Sequence, residues 1–272
     1  MVQVKKIFLL CAFVCIGALS FAGAKQETAS ESVSVPQKRT LVLLRHGQST
    51  WNLENRFTGW SDVPLTETGI KGALDAGTAL KDADIVFDVV HTSMLSRAIK
   101  TAWLTMESME NMWLPLEKHW RLNERCYGTL EGRTRSEVTD EVGKEQVTIW
   151  RRSYDVPPPP LSLDDPRSPV NNIRYMNIDK NLLPQSESLK DTIIRVRPYW
   201  SNTLMPALRA GKNVLVVGHS TCLRALSSCI QPELTPDELS SLEISNTTPI
   251  IYELEISGST IKVISRTALK IK

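Results

Sequence analysis

Several common chemistries lack a sequence basis here. There is no Gly-x-x-x-x-Gly-Lys phosphate loop, no Gly-x-Gly-x-x-Gly turn and no group of His, Cys, Asp or Glu at metal-ligand spacing, so neither a P-loop, a dinucleotide fold nor a zinc site is expected. Cysteine is scarce. Cys11 and Cys15 lie near the N-terminus, and Cys126, Cys222 and Cys229 leave an odd number in the body. That spacing carries no disulfide framework and argues against a final home in an oxidising space. Charge of one sign is also lacking: the formal net charge is +2, which gives no pull toward nucleic acid or acidic membranes. The longest apolar run, Ile7 to Ala22, falls short of the about 20 residues that a spanning helix needs.

That run has a basic start at Lys5 and Lys6 and a small-residue end at Ala22-Gly23-Ala24, the layout of a secretory signal peptide or bipartite organelle leader. Residues 1–24 are therefore expected to be a leader, with an uncleaved anchor as the alternative. Residues 25–38, polar and without aromatics, read as a flexible linker. Residues 39–272 then form one catalytic domain of ordinary globular composition, 42% hydrophobic and 23% charged over the chain. The leader routes the chain to the secretory pathway or an organelle, and the cysteine usage favours a reduced organelle lumen.

The body is organised around Thr40–Gly59, TLVLLRHGQSTWNLENRFTG. Leu41 to Leu44 form an all-apolar run, as in a strand buried on both faces, and Arg45-His46-Gly47 follows at its carboxyl end, where open α/β sheets place ligands. A neutral imidazole is a nucleophile, and an adjacent Arg is a permanent clamp for phosphate. A second apolar strand, Val214–Gly218, ends directly in His219. Two of the four histidines thus stand at equivalent strand ends, and together they suggest phosphoryl transfer through a phosphohistidine.

LVLLRHGQSTWNLENRFTGW resembles the opening motif of the cofactor-dependent phosphoglycerate mutases of the histidine phosphatase superfamily. The resemblance extends to Ser93-Met94-Leu95-Ser96-Arg97-Ala98, to LNERCYGTLEG around Glu124, and to Trp150-Arg151-Arg152. It implies an α/β, three-layer fold with a mostly parallel central sheet and helices on both faces. It also implies interconversion of 3- and 2-phosphoglycerate through phosphorylated His46, with 2,3-bisphosphoglycerate as the primer and no metal. Arg45, Arg97 and His219 would hold the moving phosphoryl group. Glu124 would carry protons, its protonated form favoured beside a like charge. Ser49, Asn52, Thr58, Gly59, Arg97, Tyr127, Arg135, Arg151, Arg152, Ser220 and Thr221 would bind substrate. The implied partners are small-molecule phosphoglycerates, with no nucleic acid, membrane contact only through an uncleaved leader, and room for a homo-oligomer.

The sequence departs from that family in places. His219-Ser220-Thr221 stands where the mutases generally read His-Gly-Asn, Arg135 replaces the usual Lys, and Cys126 stands where His is common. The chain ends at Lys272 without the Lys- and Ala-rich tail of several mutases, and a site open to water favours hydrolysis of a phosphoenzyme. A phosphatase of the same fold acting on a small phosphomonoester is therefore the alternative. A phosphoprotein-binding module would be expected to have lost His46 or Glu124, and both are present. Gly218-His219-Ser220-Thr221-Cys222 is only superficially like a hydrolase nucleophile elbow, because no His follows it in the chain.

Periodicity and capping signals predict helices over Leu65–Leu80, Met94–Met106 (capped by Thr92-Ser93), Thr134 onward, Glu145–Arg152, Ser188 onward, Cys222–Ile230 (capped by Ser220-Thr221) and Thr235 onward. Strands are predicted over Ile85–His91 and in a closing hairpin, Ile250–Ile256 with Thr260–Arg266. The helix after Ser188 is expected to turn Ile193, Ile194, Val196 and Trp200 to one side. Tyr154–Gln185, with four consecutive prolines, reads as a long irregular segment.

Overall fold

The computed structural model describes residues 36–258 and 260–271. The expected leader and residues 25–35 of the expected linker lie outside them. Strand β1 (Gln37–Arg45) begins inside the stretch assigned to the linker, because Gln37 and Lys38 pair with Ile256 and Glu255. After β1 come a short helical turn α1 (Thr50–Leu53), α2 (Glu67–Asp82), β2 (Val89–Thr92), α3 (Ser96–Ser108), β3 (Leu116–Lys118), α4 (Arg135–Val142) and α5 (Lys144–Arg152). The chain continues through α6 (Leu189–Tyr199), α7 (Met205–Arg209), β4 (Val214–Gly218), α8 (Ser220–Ile230), α9 (Pro236–Ser241), β5 (Ile250–Ser257) and β6 (Thr260–Ala268).

One six-stranded sheet runs in the order β3-β2-β4-β1-β5-β6. Strands β3, β2, β4 and β1 are parallel, and β5 and β6 add an antiparallel edge. Alternation along β1 and β4 explains the layers. Leu41, Leu43, Val214 and Val216 pack against Ile193, Val196, Leu223 and Leu226 of α6 and α8. Val42, Leu44, Leu215 and Val217 pack against Ala76, Leu80, Ala102 and Met106 of α2 and α3. Both faces of these strands are covered, which is why they read as continuous apolar runs. Each such Leu or Val contributes about 1.5–3 kcal/mol over an exposed one.

Four local expectations are corrected. Strand β2 is four residues long: Ile85–Asp88 precede it in irregular backbone. Thr92-Ser93 do not cap α3. Thr92 ends β2, donating its hydroxyl to Val217 O at 2.8 Å, and the cap of α3 comes from Asp62, which accepts the Ser96 N–H at 2.7 Å. Helix α8 starts at Ser220 with His219 as its N-cap residue, so Ser220 and Thr221 lie inside its first turn. On α6, Ile194 faces solvent, 61% exposed, while Arg195 turns inward. The α6–α7 helix also passes through a π turn at Trp200–Leu204 between Pro198 and Pro206, where missing amides disturb the regular ladder.

The long segment after Tyr154 is irregular as expected but packed, with Leu161, Tyr175 and Leu183 buried. Arg174 ties it to Asp62 through an ion pair at 2.5 Å. Cys126, Cys222 and Cys229 are free thiols. Among the described residues, no helix is long and apolar enough to cross a membrane.

Candidate active site

Parallel pairing of β1 with β4 sets Arg45 opposite Gly218, so the residues that follow, His46 and His219, emerge side by side. The His46 N–H donates to Gly218 O at 2.9 Å, and the two imidazole rings lie 5.0 Å apart, tilted by 59°. Both are buried. His46 Nδ1 sits 2.6 Å from Gly47 O. A carbonyl only accepts, so in the neutral ring Nδ1 carries the proton and Nε2 the lone pair. Burial, and then the charges of Arg97 and Arg45, hold the His46 pKa well below 6.5, which keeps that lone pair free at neutral pH.

Arg97, in the first turn of α3, brings Nε to 3.4 Å from His46 Nε2. Its two Nη groups donate to Ser61 O at 2.9 Å and Gly59 O at 2.8 Å, so its plane is fixed. Burial lowers its pKa to about 10, opposed by Glu124, Asp62 and Glu131, and it remains a cation. Arg45 donates to Ile244 O at 2.9 Å. Glu124 follows the 3₁₀ turn Trp120–Leu122, and its Oε1 accepts from the Arg125 N–H at 2.8 Å and from the Thr221 N–H of α8 at 3.1 Å. Among the described residues, no salt bridge to the neighbouring Arg121 or Arg125 holds its carboxylate. The two backbone amides orient it.

These groups open on a cavity of about 550 Å³ lined by seven arginines, Arg45, Arg56, Arg97, Arg135, Arg151, Arg152 and Arg224, against two carboxylates, Glu124 and Glu243. Arg135 opens α4, Arg151 and Arg152 close α5, and Arg224 lies one turn into α8. Burial lowers the Arg151 and Arg224 pKa values, and the neighbouring guanidinium groups lower them further. Crowded like charges of this kind call for a multiply charged anion.

Asn52, Thr58, Gly59, Tyr127, Ser220 and Thr221 also line the cavity. Ser49 does not. It is buried as the N-cap of α1, accepting the Asn52 N–H at 3.2 Å, and Asn52 Oδ1 accepts the Ser49 N–H in return. His219 lies behind the lining, its Nε2 2.8 Å from Ser93 Oγ and its Nδ1 without a partner. Burial, Arg97 and His46 hold its pKa well below 6.5.

Sequence reasoning missed Arg56, Phe57, Arg224, Ser241 and the stretch 243–246 of the lining. Arg224 had a signal: it stands four residues after Ser220, on the same helical face. Asn246 had none. Its Nδ2 reaches His46 O at 2.6 Å across 200 positions of chain. Among the described residues, no group of three or more His, Cys, Asp or Glu side chains could hold a metal ion.

Residues 41–267 match the family model of the histidine phosphatase superfamily, branch 1. The chain belongs to the histidine phosphatase superfamily. Among its relatives is a protein of Nitratidesulfovibrio vulgaris named 2,3-bisphosphoglycerate-dependent phosphoglycerate mutase, 51% identical over 216 residues, covering 79% of this chain and 86% of the relative. The crystal structure of a phosphoglycerate mutase from Bacillus anthracis is 26% identical and superposes with a TM-score of 0.58, covering 82% of this chain and 94% of that one. A mycobacterial glucosyl-3-phosphoglycerate phosphatase shares the fold, at a TM-score of 0.62, 22% identity and coverage of 83% and 96%. In this superfamily member, the histidine pair and the arginine-lined cavity fall within the matched region.

Proposed function

We propose that this superfamily member is a 2,3-bisphosphoglycerate-dependent phosphoglycerate mutase, interconverting 3- and 2-phosphoglycerate. The observation that carries the reading is the buried, neutral His46, its Nε2 lone pair turned toward Arg97 in a cavity walled by guanidinium groups. The 51% identity to the Nitratidesulfovibrio protein of that name supports the substrate.

The donor chemistry of the cavity fits a bisphosphorylated carboxylic acid. Seven arginines line it, and Arg45 Nε, Arg135 Nε and His219 Nδ1 are buried without a protein partner. Arg45 and Arg97 would hold the phosphoryl group beside His46. Arg135, Arg151 and Arg152, joined by Arg224, would hold the carboxylate and the second phosphate. 2,3-Bisphosphoglycerate supplies the phosphoryl group that primes His46.

In the transfer, a bond forms between His46 Nε2 and phosphorus as the bond from phosphorus to the substrate oxygen breaks. Glu124 delivers a proton to that oxygen and recovers one from the hydroxyl that attacks in return. The equatorial oxygens are stabilised by fixed donors: Arg97, Arg45 and the His219 Nδ1–H. The last is present when the Ser93 hydroxyl donates to Nε2. Ser49 fits a structural part, holding the turn that presents Asn52.

The same reading takes residues 1–24 as a signal peptide or organelle leader that sends the chain to the secretory pathway or an organelle, a reduced lumen being favoured, and starts the catalytic domain at Gln37, where β1 begins. A homo-oligomer is compatible with it. The test is an assay of the chain with 3-phosphoglycerate, with and without 2,3-bisphosphoglycerate. Primer-dependent formation of 2-phosphoglycerate is expected. Release of inorganic phosphate at a comparable rate would instead make the chain a phosphatase.

A further inference from the structure

Arg195, on the inward side of α6, belongs to neither the nucleophile nor the cavity lining, yet it is buried at 6% exposure and its partner Glu187 at 2%. Its Nε donates to Glu187 Oε1 at 2.6 Å and its Nη2 to Glu187 Oε2 at 3.0 Å. The remaining donors all go to one short stretch of backbone. Nη1 reaches Arg121 O at 2.7 Å and Trp120 O at 3.4 Å, and Nη2 reaches Glu124 O at 3.1 Å and Asn123 O at 3.2 Å. Glu187 closes the loop from the other side. Its Oε2 accepts the Cys126 N–H at 2.9 Å, and its own N–H donates to Cys126 O at 2.9 Å.

We infer that Arg195, oriented by Glu187, is a positioning residue that sets the place of Glu124 against the transferring phosphoryl group. The inference rests on the reading of Glu124 as the proton carrier. A buried ion pair is a poor way to gain stability compared with apolar packing of the same volume. It is a good way to hold several carbonyls in one plane, because guanidinium carries five donors in a rigid fork. Here those donors grip the segment on both sides of Leu122. Trp60 grips it too: its ring lies 5.5 Å from the Arg195 guanidinium carbon, and its Nε1 donates to Glu124 O at 2.6 Å. With the backbone of Glu124 fixed, the Arg125 and Thr221 amides aim its carboxylate. Arg195 has no donor left for substrate, so it acts only through Glu124. A lysine at this position brings the charge but not the fork.

A proton carrier matters only where the leaving oxygen needs a proton, and this separates positioning from mere folding. Single-turnover phosphorylation of His46 is measured in the full chain with two donors. One is 2,3-bisphosphoglycerate, whose leaving group is an alkoxide. The other is 1,3-bisphosphoglycerate, an acyl phosphate whose leaving carboxylate needs no proton. Glu124→Gln is the reference. It should slow the first donor by about 10²-fold or more and leave the second within about threefold. If Glu124→Gln slows both equally, the reading of Glu124 itself fails. Given a selective Glu124→Gln, Arg195→Lys should show the same selectivity, slowing the alkoxide donor about 10- to 100-fold. Glu187→Gln, which keeps volume and one acceptor, should do so more weakly. Equal losses toward both donors in Arg195→Lys, or in Glu187→Gln where Arg195→Lys does not accumulate folded, overturn the inference. So does wild-type behaviour toward both.

Discussion

The imidazoles of His46 and His219 face each other across 5.0 Å at the ends of two neighbouring parallel strands. Strand register alone brings them together, since Leu44 pairs with Val217 and Arg45 with Gly218. The proposed nucleophile and the proposed donor to its phosphoryl group thus sit at the ends of paired strands in the central sheet, and four predictions rest on that frame.

His46→Ala should abolish acid-labile, base-stable phosphoenzyme on incubation with 2,3-bisphosphoglycerate. His46 is buried and held by the Gly47 carbonyl and the Gly218 carbonyl, but only its ring is lost in the variant. Retention of label by this variant would place the nucleophile elsewhere.

His219→Ala should still form the phosphoenzyme, because His46 keeps its own tautomer-fixing bond to Gly47 O. Turnover should fall by roughly 10²–10³-fold, the effect of removing one donor aimed at a developing charge. Rapid-quench measurement of phosphohistidine against steady-state kcat distinguishes the two steps. An unchanged kcat would remove His219 from the transfer.

Gly69→Ala should destabilise the fold although Ala is the better helix former by about 1 kcal/mol. A Cβ on Gly69 would lie 2.1 Å from Gln48 O, and one on Gly47 would lie 2.2 Å from Gly69 O. Helix α2 and the loop after His46 are therefore in backbone contact, and neither can yield alone. A net loss of at least about 2 kcal/mol is expected, toward the upper part of the overpacking range. Urea unfolding measures it, and a stabilised variant would contradict the close approach.

Stability should fall as pH drops from about 7 toward 4. Burial, as the largest cause, lowers all four histidine pKa values: His46 and His219 well below 6.5, His91 and His119 to about 4. Below about pH 6.5 the unfolded chain takes protons that the folded chain refuses, so unfolding gains free energy over that window. Buried Glu131 works in the opposite sense, since burial raises its pKa and its contribution is lost as pH rises. Four imidazoles outweigh one carboxyl, and the thermal midpoint should drop between pH 7 and pH 5. A flat profile would mean that the histidines are open to water.

Much of the site was legible because its signals are local. Leu41–Leu44 and Val214–Val217 read as strands buried on both faces, and that required nothing beyond their own composition. The capping box of Thr134 and Glu137 that starts α4 is complete within four positions. The start of α3 was misread because its cap, Asp62, comes from 34 positions away, and Ser93 was free to meet His219 instead. Ile194 was read as facing inward on α6 because its apolar character suggested the core, whereas it is exposed and Arg195 takes the inward side. A buried ion pair holds Arg195 there.

The amino-acid sequence by itself determined the elements, the two strand-end histidines and the arginines that make the cavity an anion site. Each depends on short-range periodicity or on side-chain chemistry that no fold can change. Only the tertiary structure decided which histidine nitrogen is free, that Glu124 is aimed by a helix amide, and that Arg224 and Asn246 join the site. The first is settled by the local geometry at Gly47, and the others join positions that lie from 97 to 200 apart or meet only across the folded cavity, contacts that leave no periodic trace along the chain.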